Sequence, residues 1–233
     1  MNMDISTLQV IRNRLAQAAL AAGRDPQDIT LVAVGKTFPP ADLRALAQAG
    51  QRDFAENYVQ EALDKQAVLA DLPLMWHFVG PIQRNKTSLI ATHFDWVHSV
   101  DRVLVAERLS AARGGQNPPL NVCLQVNISR EDSKSGVLPE DLLPLARAVA
   151  PLPHLRLRGL MAIPRQTSDL QQQRQQFAAV RSCLVQLRAE GIMLDTLSMG
   201  MSDDFEPAIA EGATMVRLGS LLFGRRRYTQ RDQ

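Results

Sequence analysis

The stretch ITLVAVGKTFPP, residues 29–40, decides how the rest of the chain is read. Its opening run, ITLVAVG, is rich in β-branched residues, carries no charge and is too short for a helix. Such a run reads as a strand buried on both faces, the kind found in parallel sheets covered by helices. Lys36 and Thr37 follow at once; Pro39 and Pro40 then open a helix that runs to Ala49 and is closed by Gly50. The unit is a buried strand, a polar turn and a helix.

The same unit recurs downstream. RDFAEN reads as a strand followed by a helix over 58–70, MWHFVG as one followed by a helix over 83–92, and FDWVHSV by a helix over 102–113. LNVCLQVNI leads to a helix over 139–150, LRLRGLMAI to a long one over 168–190, DTLSMG to one over 203–211, and TMVRLGS to a short helical tail. Regular alternation predicts parallel strands joined by right-handed crossovers. Eight such units fit a (β/α)8 TIM barrel better than the alternative, a doubly wound open sheet. Upstream, Leu8, Ile11, Leu15 and Ala18 recur at helical spacing behind a cap at Asp4 or Ser6. This extra N-terminal helix is expected to cover one end of the barrel or an adjacent groove.

Composition narrows the function classes. The 233 residues suit one α/β barrel domain spanning 1–233, and 45% hydrophobic residues suffice for a core. A net charge of +2 gives no basic stripe for nucleic acid, and no apolar run approaches a membrane span. The start, MNMDISTLQV, has no basic segment before an apolar run, so a cytoplasmic protein is expected. Cys123 and Cys183 make no disulfide framework and read as reduced core residues. RRRY near the C-terminus reads as a solvated tail.

In a barrel, chemistry sits where strands end and the following loops begin. Reading those ends in turn yields Lys36, then Glu56 and Asn57, His77, Asn127, Met161, then Ser198, Gly200, Met201 and Ser202, and Arg217, Gly219 and Ser220. Lys36 follows an apolar strand; loss of solvation there disfavours its ammonium, and a neutral amine is what forms a Schiff base with an aldehyde. The bland alternative is a strand-end lysine whose head reaches solvent. A P-loop is excluded, because Thr30 stands where that motif needs glycine. SMGMSDD, from Ser198, ends a strand and opens a helix capped by Ser202 or Asp203. Free N–H groups with nearby hydroxyls suit a phosphate, although an ordinary capped helix start would look the same. RLGS, residues 217–220, adds a permanent cation, a glycine for close backbone approach and a hydroxyl. Its bland reading pairs Arg217 with Asp203, Asp204 or Glu206. These are the loops after strands seven and eight, where barrels often hold phosphate. His77, His93, His98 and His154 have no metal-ligand spacing with either cysteine, and His77 reads as structural.

Longer segments carry a resemblance. AVGKTFP, FAENYVQE, WHFVGPIQRNK, VNISREDSKSG, LRGLMAI, LSMGMSDDFEPAIAEG and MVRLGSLLFG, spread over most of the chain, resemble the pyridoxal phosphate homeostasis (YggS/PROSC) family. The resemblance implies the barrel of fold-type III pyridoxal 5′-phosphate (PLP) proteins, like the N-terminal domain of alanine racemase. It implies PLP held as a Schiff base on Lys36, and phosphate bound by Ser202, Gly219 and Ser220 with main-chain help near Met201. Asn57 would belong to the same site, and Arg217 would lie near the pyridine nitrogen. The implied function is intracellular vitamin B6 homeostasis without a firm catalytic activity, with apo PLP-dependent enzymes as partners and a monomeric state. Members often read SKTKP where this chain reads GKTFP, so Gly35 and Phe38 depart from the pattern.

The competing reading is a PLP-dependent amino-acid racemase. Racemisation needs a base on each face of the substrate, and Lys36 can serve one. In alanine racemase a second, β-rich domain and a partner chain supply the other; no such domain is expected after the last strand here. An arginine beside the pyridine nitrogen also keeps that nitrogen unprotonated, which weakens the ring as an electron sink.

Overall fold

The computed structural model describes residues 5–115 and 117–224. The RRRY segment and Asp4 lie outside the described residues. Eight parallel strands, β1 (Thr30–Val34), β2 (Asp53–Glu56), β3 (Met75–Phe78), β4 (Trp96–Val100), β5 (Leu120–Val126), β6 (Leu155–Ala162), β7 (Thr196–Ser198) and β8 (Met215–Leu218), close into a barrel in sequence order. Closure rests on β1 against β8, in register from Thr30↔Met215 to Ala33↔Leu218. That pairing rules out the doubly wound sheet, whose edges stay open.

The N-terminal helix α1 (Ile5–Ala21) precedes the barrel, and α2 (Pro40–Gln48), α3 (Val59–Val68), α4 (Thr87–His93), α5 (Val103–Arg113), α6 (Leu142–Val149), α7 (Leu170–Ala189), α8 (Phe205–Ala210) and α9 (Ser220–Phe223) follow the strands in turn. Two expected helices begin with a tight 3₁₀ turn, Arg84–Lys86 before α4 and Pro139–Asp141 before α6. In α1, Leu8, Ile11, Leu15 and Ala19 face inward, so the buried stripe ends at Ala19, one residue past Ala18. The helix packs on α2, α8 and α9, filling the outer groove where the first and last helices meet.

The core has two layers. The larger lies between strands and helices, with Phe54, Phe78, Phe94, Phe177 and Phe205 fully buried. At roughly 1.5–3 kcal/mol for each such side chain, this shell carries most of the stabilisation. The smaller, inside the barrel, comprises Val32, Ala55, Trp96, Cys123, Met161 and Met215. Barrel interiors are normally filled by branched apolar side chains, yet His77, His98, Ser198 and Arg217 are buried as well. Both cysteines are free and buried, and burial pushes the Cys123 thiol up to about 12. Among the described residues no helix is long and apolar enough to cross a membrane.

Candidate functional site at the barrel mouth

The seven residues proposed from the sequence, Lys36, Asn57, Met201, Ser202, Arg217, Gly219 and Ser220, all line one cavity of about 240 Å³ at the C-terminal end of the strands. Val34, Phe38, Val79, Ile163, Asp203 and Gly224 complete its wall. Lys36 sits in the turn after β1 and is half-buried. Asn57 follows β2, and its Oδ1 is buried without a hydrogen-bond partner among the described residues. It is held close because residue 80 is glycine: a Cβ there would lie 2.1 Å from the Asn57 carbonyl oxygen.

The turn carrying Lys36 is clamped from α3. Lys65 Nζ donates to Gly35 O, Glu56 Oε1 and Glu61 Oε1, each at 2.7 Å. The Thr37 N–H donates to Glu61 Oε1 at 2.6 Å. Thr37 needs that hold, since its φ of 68° is left-handed, a strained region for a β-branched residue. Glu56 is fully buried and its Oε2 has no partner among the described residues. Burial pushes its carboxyl up to about 7, against the pull of the Lys65 cation and, more weakly, of Lys36.

The opposite wall is built from backbone and hydroxyls. Gly200, at φ 94°, turns the chain out of β7. The Met201 N–H donates to Asp204 Oδ1 at 2.6 Å, so the loop itself engages it. Neither Ser202 nor Asp203 caps α8: Asp204 is the flanking residue, with its carboxylate turned back on Met201. Burial raises the Asp204 pKa, while the Met201 hydrogen bond and Arg217 lower it. Gly219 and Ser220 open α9.

Arg217 is 4% exposed on β8. It donates to Ser198 Oγ at 2.7 Å and to Ala162 O at 3.0 Å. Among the described residues no carboxylate lies within ion-pair distance of it, and Glu206 pairs with Arg14 instead. Desolvation lowers its pKa to about 10, still cationic at neutral pH.

A family model described as "Alanine racemase, N-terminal domain" matches residues 8–227. A relative from Pseudomonas aeruginosa named "Pyridoxal phosphate homeostasis protein" is 62% identical over 215 residues, 92% of each chain. This chain belongs to the pyridoxal phosphate homeostasis family. An Escherichia coli relative of the same name is 47% identical and covers 99% of this chain and 100% of its own. PipY of Synechococcus elongatus, solved with PLP bound, superposes with a TM-score of 0.79 at 40% identity, covering 90% of this chain and 100% of its own.

Within the homeostasis family pattern, this chain's two departures have structural consequences. A Cβ at Gly35 would stand 2.9 Å from Glu56 Oε1 and 3.1 Å from the Leu43 methyls, so glycine leaves room for the buried carboxylate. Phe38 stacks on Phe223, with centroids 4.7 Å apart, and ties the lysine turn to α9. Sequence reading listed Glu56 and Ser198 but missed Lys65, Glu61 and His98 as parts of the site. A lysine on an otherwise apolar helix face was the available signal for Lys65. For His98 it was the period-two match to Trp96 in a buried strand.

Proposed function

We propose that this protein binds PLP covalently through Lys36 and serves PLP homeostasis, buffering or delivering the cofactor. The observation that carries the reading is the convergence on one cavity of a lysine, a buried cation without a carboxylate partner among the described residues, and two hydroxyl-bearing loops. The residues fit the cofactor: among the described residues Asn57 Oδ1 has no partner and Arg217 has no carboxylate within ion-pair distance, so both are polar groups that a ligand could satisfy. When bound, PLP supplies an aldehyde carbon open to attack by a neutral amine. Lys36 is the one lysine among the residues lining the cavity. Ser202, Gly219 and Ser220 would hold the phosphate through hydroxyls and main-chain N–H groups. Met201 would contribute its side chain, since its N–H is engaged by Asp204. Arg217 would face the ring nitrogen and, by charge repulsion, disfavour a proton there.

Catalysis is weakly supported. Apart from Lys36, the cavity wall offers Asp203 as a Brønsted base, and among the described residues no His or Tyr lines it. The alternative, a racemase-like enzyme, would have Asp203 alone as a base to oppose Lys36 among these residues. Free buried cysteines fit a reducing cytoplasm, and exchange of PLP with apo PLP-dependent enzymes by a monomer fits an open mouth. Borohydride reduction followed by peptide mapping should place the pyridoxyl group on Lys36; finding it on Lys65, Lys86 or Lys134 would sink the assignment. Turnover of any amino acid at ~1 s⁻¹ or faster, the low end for ordinary enzymes, would overturn the carrier reading.

A further inference from the structure

Arg217 is the first member of a longer buried chain. Its Nη1 donates to Ser198 Oγ at 2.7 Å, and Ser198 Oγ lies 2.7 Å from His98 Nδ1. His98 Nε2 lies 2.9 Å from His77 Nδ1, and His77 Nε2 lies 3.1 Å from Asp53 Oδ1. The residues come from β8, β7, β4, β3 and β2 and cross the inside of the barrel. Ser198, His98 and His77 are 0% exposed. Asp53, at the start of β2, lines a separate surface depression with Thr30, Gly50 and Gln51, at the barrel end opposite the cavity.

The ends of the chain fix its direction. A guanidinium has no acceptor, so Arg217 must donate to Ser198. The serine hydroxyl then has its proton for His98 Nδ1, which places the His98 proton on Nε2. That proton points to His77 Nδ1, which places the His77 proton on Nε2, toward Asp53. An ionised carboxylate accepts and cannot donate, so it closes the sequence. Reversing the order would require a protonated Asp53 or a charged His77, and would leave the Ser198 proton without an acceptor. Burial and the neighbouring His77 and Arg217 hold His98 neutral, as the order demands.

Such a chain is not how a barrel fills its interior most stably. Buried polar groups gain little over apolar ones even when satisfied, and partial satisfaction is worse. Polar groups on five strands that meet in one direction therefore need a task, and the task available is at the end that opens on the cavity.

We infer that Ser198, His98, His77 and Asp53 are positioning residues for Arg217, a one-way donor chain that holds its guanidinium toward the cavity and couples it to a carboxylate at the far end of the barrel. The consequence for the cofactor rests on the reading that Arg217 faces the PLP ring; the chain itself does not.

Two measurements test this. Two-bond proton–nitrogen correlation on uniformly ¹⁵N-labelled protein without PLP should show His77 and His98 as neutral Nε2–H tautomers. The chain holds only 4 histidines, so assignment by single substitution is direct. An Nδ1–H tautomer or an imidazolium at either position overturns the inference. Ser198→Ala should then weaken PLP retention roughly tenfold, the scale of one hydrogen bond to a charged group. It should also shift the pH midpoint of the bound cofactor's visible absorbance. Retention and midpoint both unchanged in a folded Ser198→Ala protein overturn it. If that variant does not fold, Asp53→Asn carries the test: it lies far from the cavity and should move the same midpoint by less, and an unmoved midpoint overturns the inference. Failure to label Lys36 in the wild-type protein sinks the PLP reading and leaves the tautomer result standing.

Discussion

The two walls of the cavity are held in place by different physics. Behind Lys36 stand full charges: one buried cation, Lys65, shared by Glu56 and Glu61 and by the carbonyl of Gly35. Behind Arg217 stand a hydroxyl and two imidazoles joined by hydrogen bonds. Ions in a dry interior are held strongly in geometry but are costly to leave unpaired, whereas a hydrogen-bonded chain tolerates loss of one link at the scale of one hydrogen bond. The lysine wall should therefore fail through stability, and the arginine wall through ligand affinity.

The sharpest way to break the contrast is Lys65→Met. It leaves Glu56 buried beside Glu61 with only the weaker pull of Lys36 as counter-charge; breaking a buried pair in this way destabilises by about 3–5 kcal/mol in comparable sites. Glu56 can take up a proton, so the loss should sit at the lower end and shrink as pH falls toward 5. Urea unfolding at two pH values reads both effects. A variant as stable as wild type at pH 8 would mean that Lys65 adds nothing to the wall.

Next comes the pH dependence of Glu56. Its folded carboxyl titrates at about 7 against an ordinary 4.5, so the folded chain binds more protons between those values. By linkage this group's contribution is greatest below the lower value and falls as pH rises through the window, by on the order of 3 kcal/mol. Glu56→Gln should remove that slope, and the difference between the two unfolding curves across the window measures it.

Arg217→Gln should act on the other wall. It should weaken PLP retention by roughly 10- to 100-fold, the range of hydrogen bonds to charged groups, with the circular dichroism of the barrel unchanged. Unaltered retention would mean that the guanidinium serves only Ser198 and Ala162. Gly35→Ser should give the smallest effect, under about 1 kcal/mol, since the 2.9 Å approach is to the end of a side chain, albeit one pinned by Lys65. A larger loss would show that the Lys65 clamp is rigid.

Much of this was legible in the chain. Strand runs such as LNVCLQV and the spacing of Leu8, Ile11 and Leu15 are local patterns, and local patterns survive folding. All seven proposed residues lie in one cavity because the barrel gathers its strand ends on one rim. The start of α8 was misread because two acidic residues compete there, and only the fold shows Asp204 spending its carboxylate on Met201. The Arg217 chain was beyond reach. It joins five strands far apart in sequence, and no window of one strand contains two neighbouring links.

The closure of β1 on β8 also sets an order of events in time. Lys36 lies in the first strand-to-helix turn to be made on the ribosome, whereas Arg217, Gly219 and Ser220 come after the seventh strand. A nascent chain therefore displays the amine long before it has a phosphate cradle, and specific capture must wait for the last strand to dock. A ligand that binds only the closed ring holds it shut by mass action, adding about 2.7 kcal/mol when present at 100 times its dissociation constant. The cofactor would then act as the clasp of a ring whose two ends are the last parts to meet.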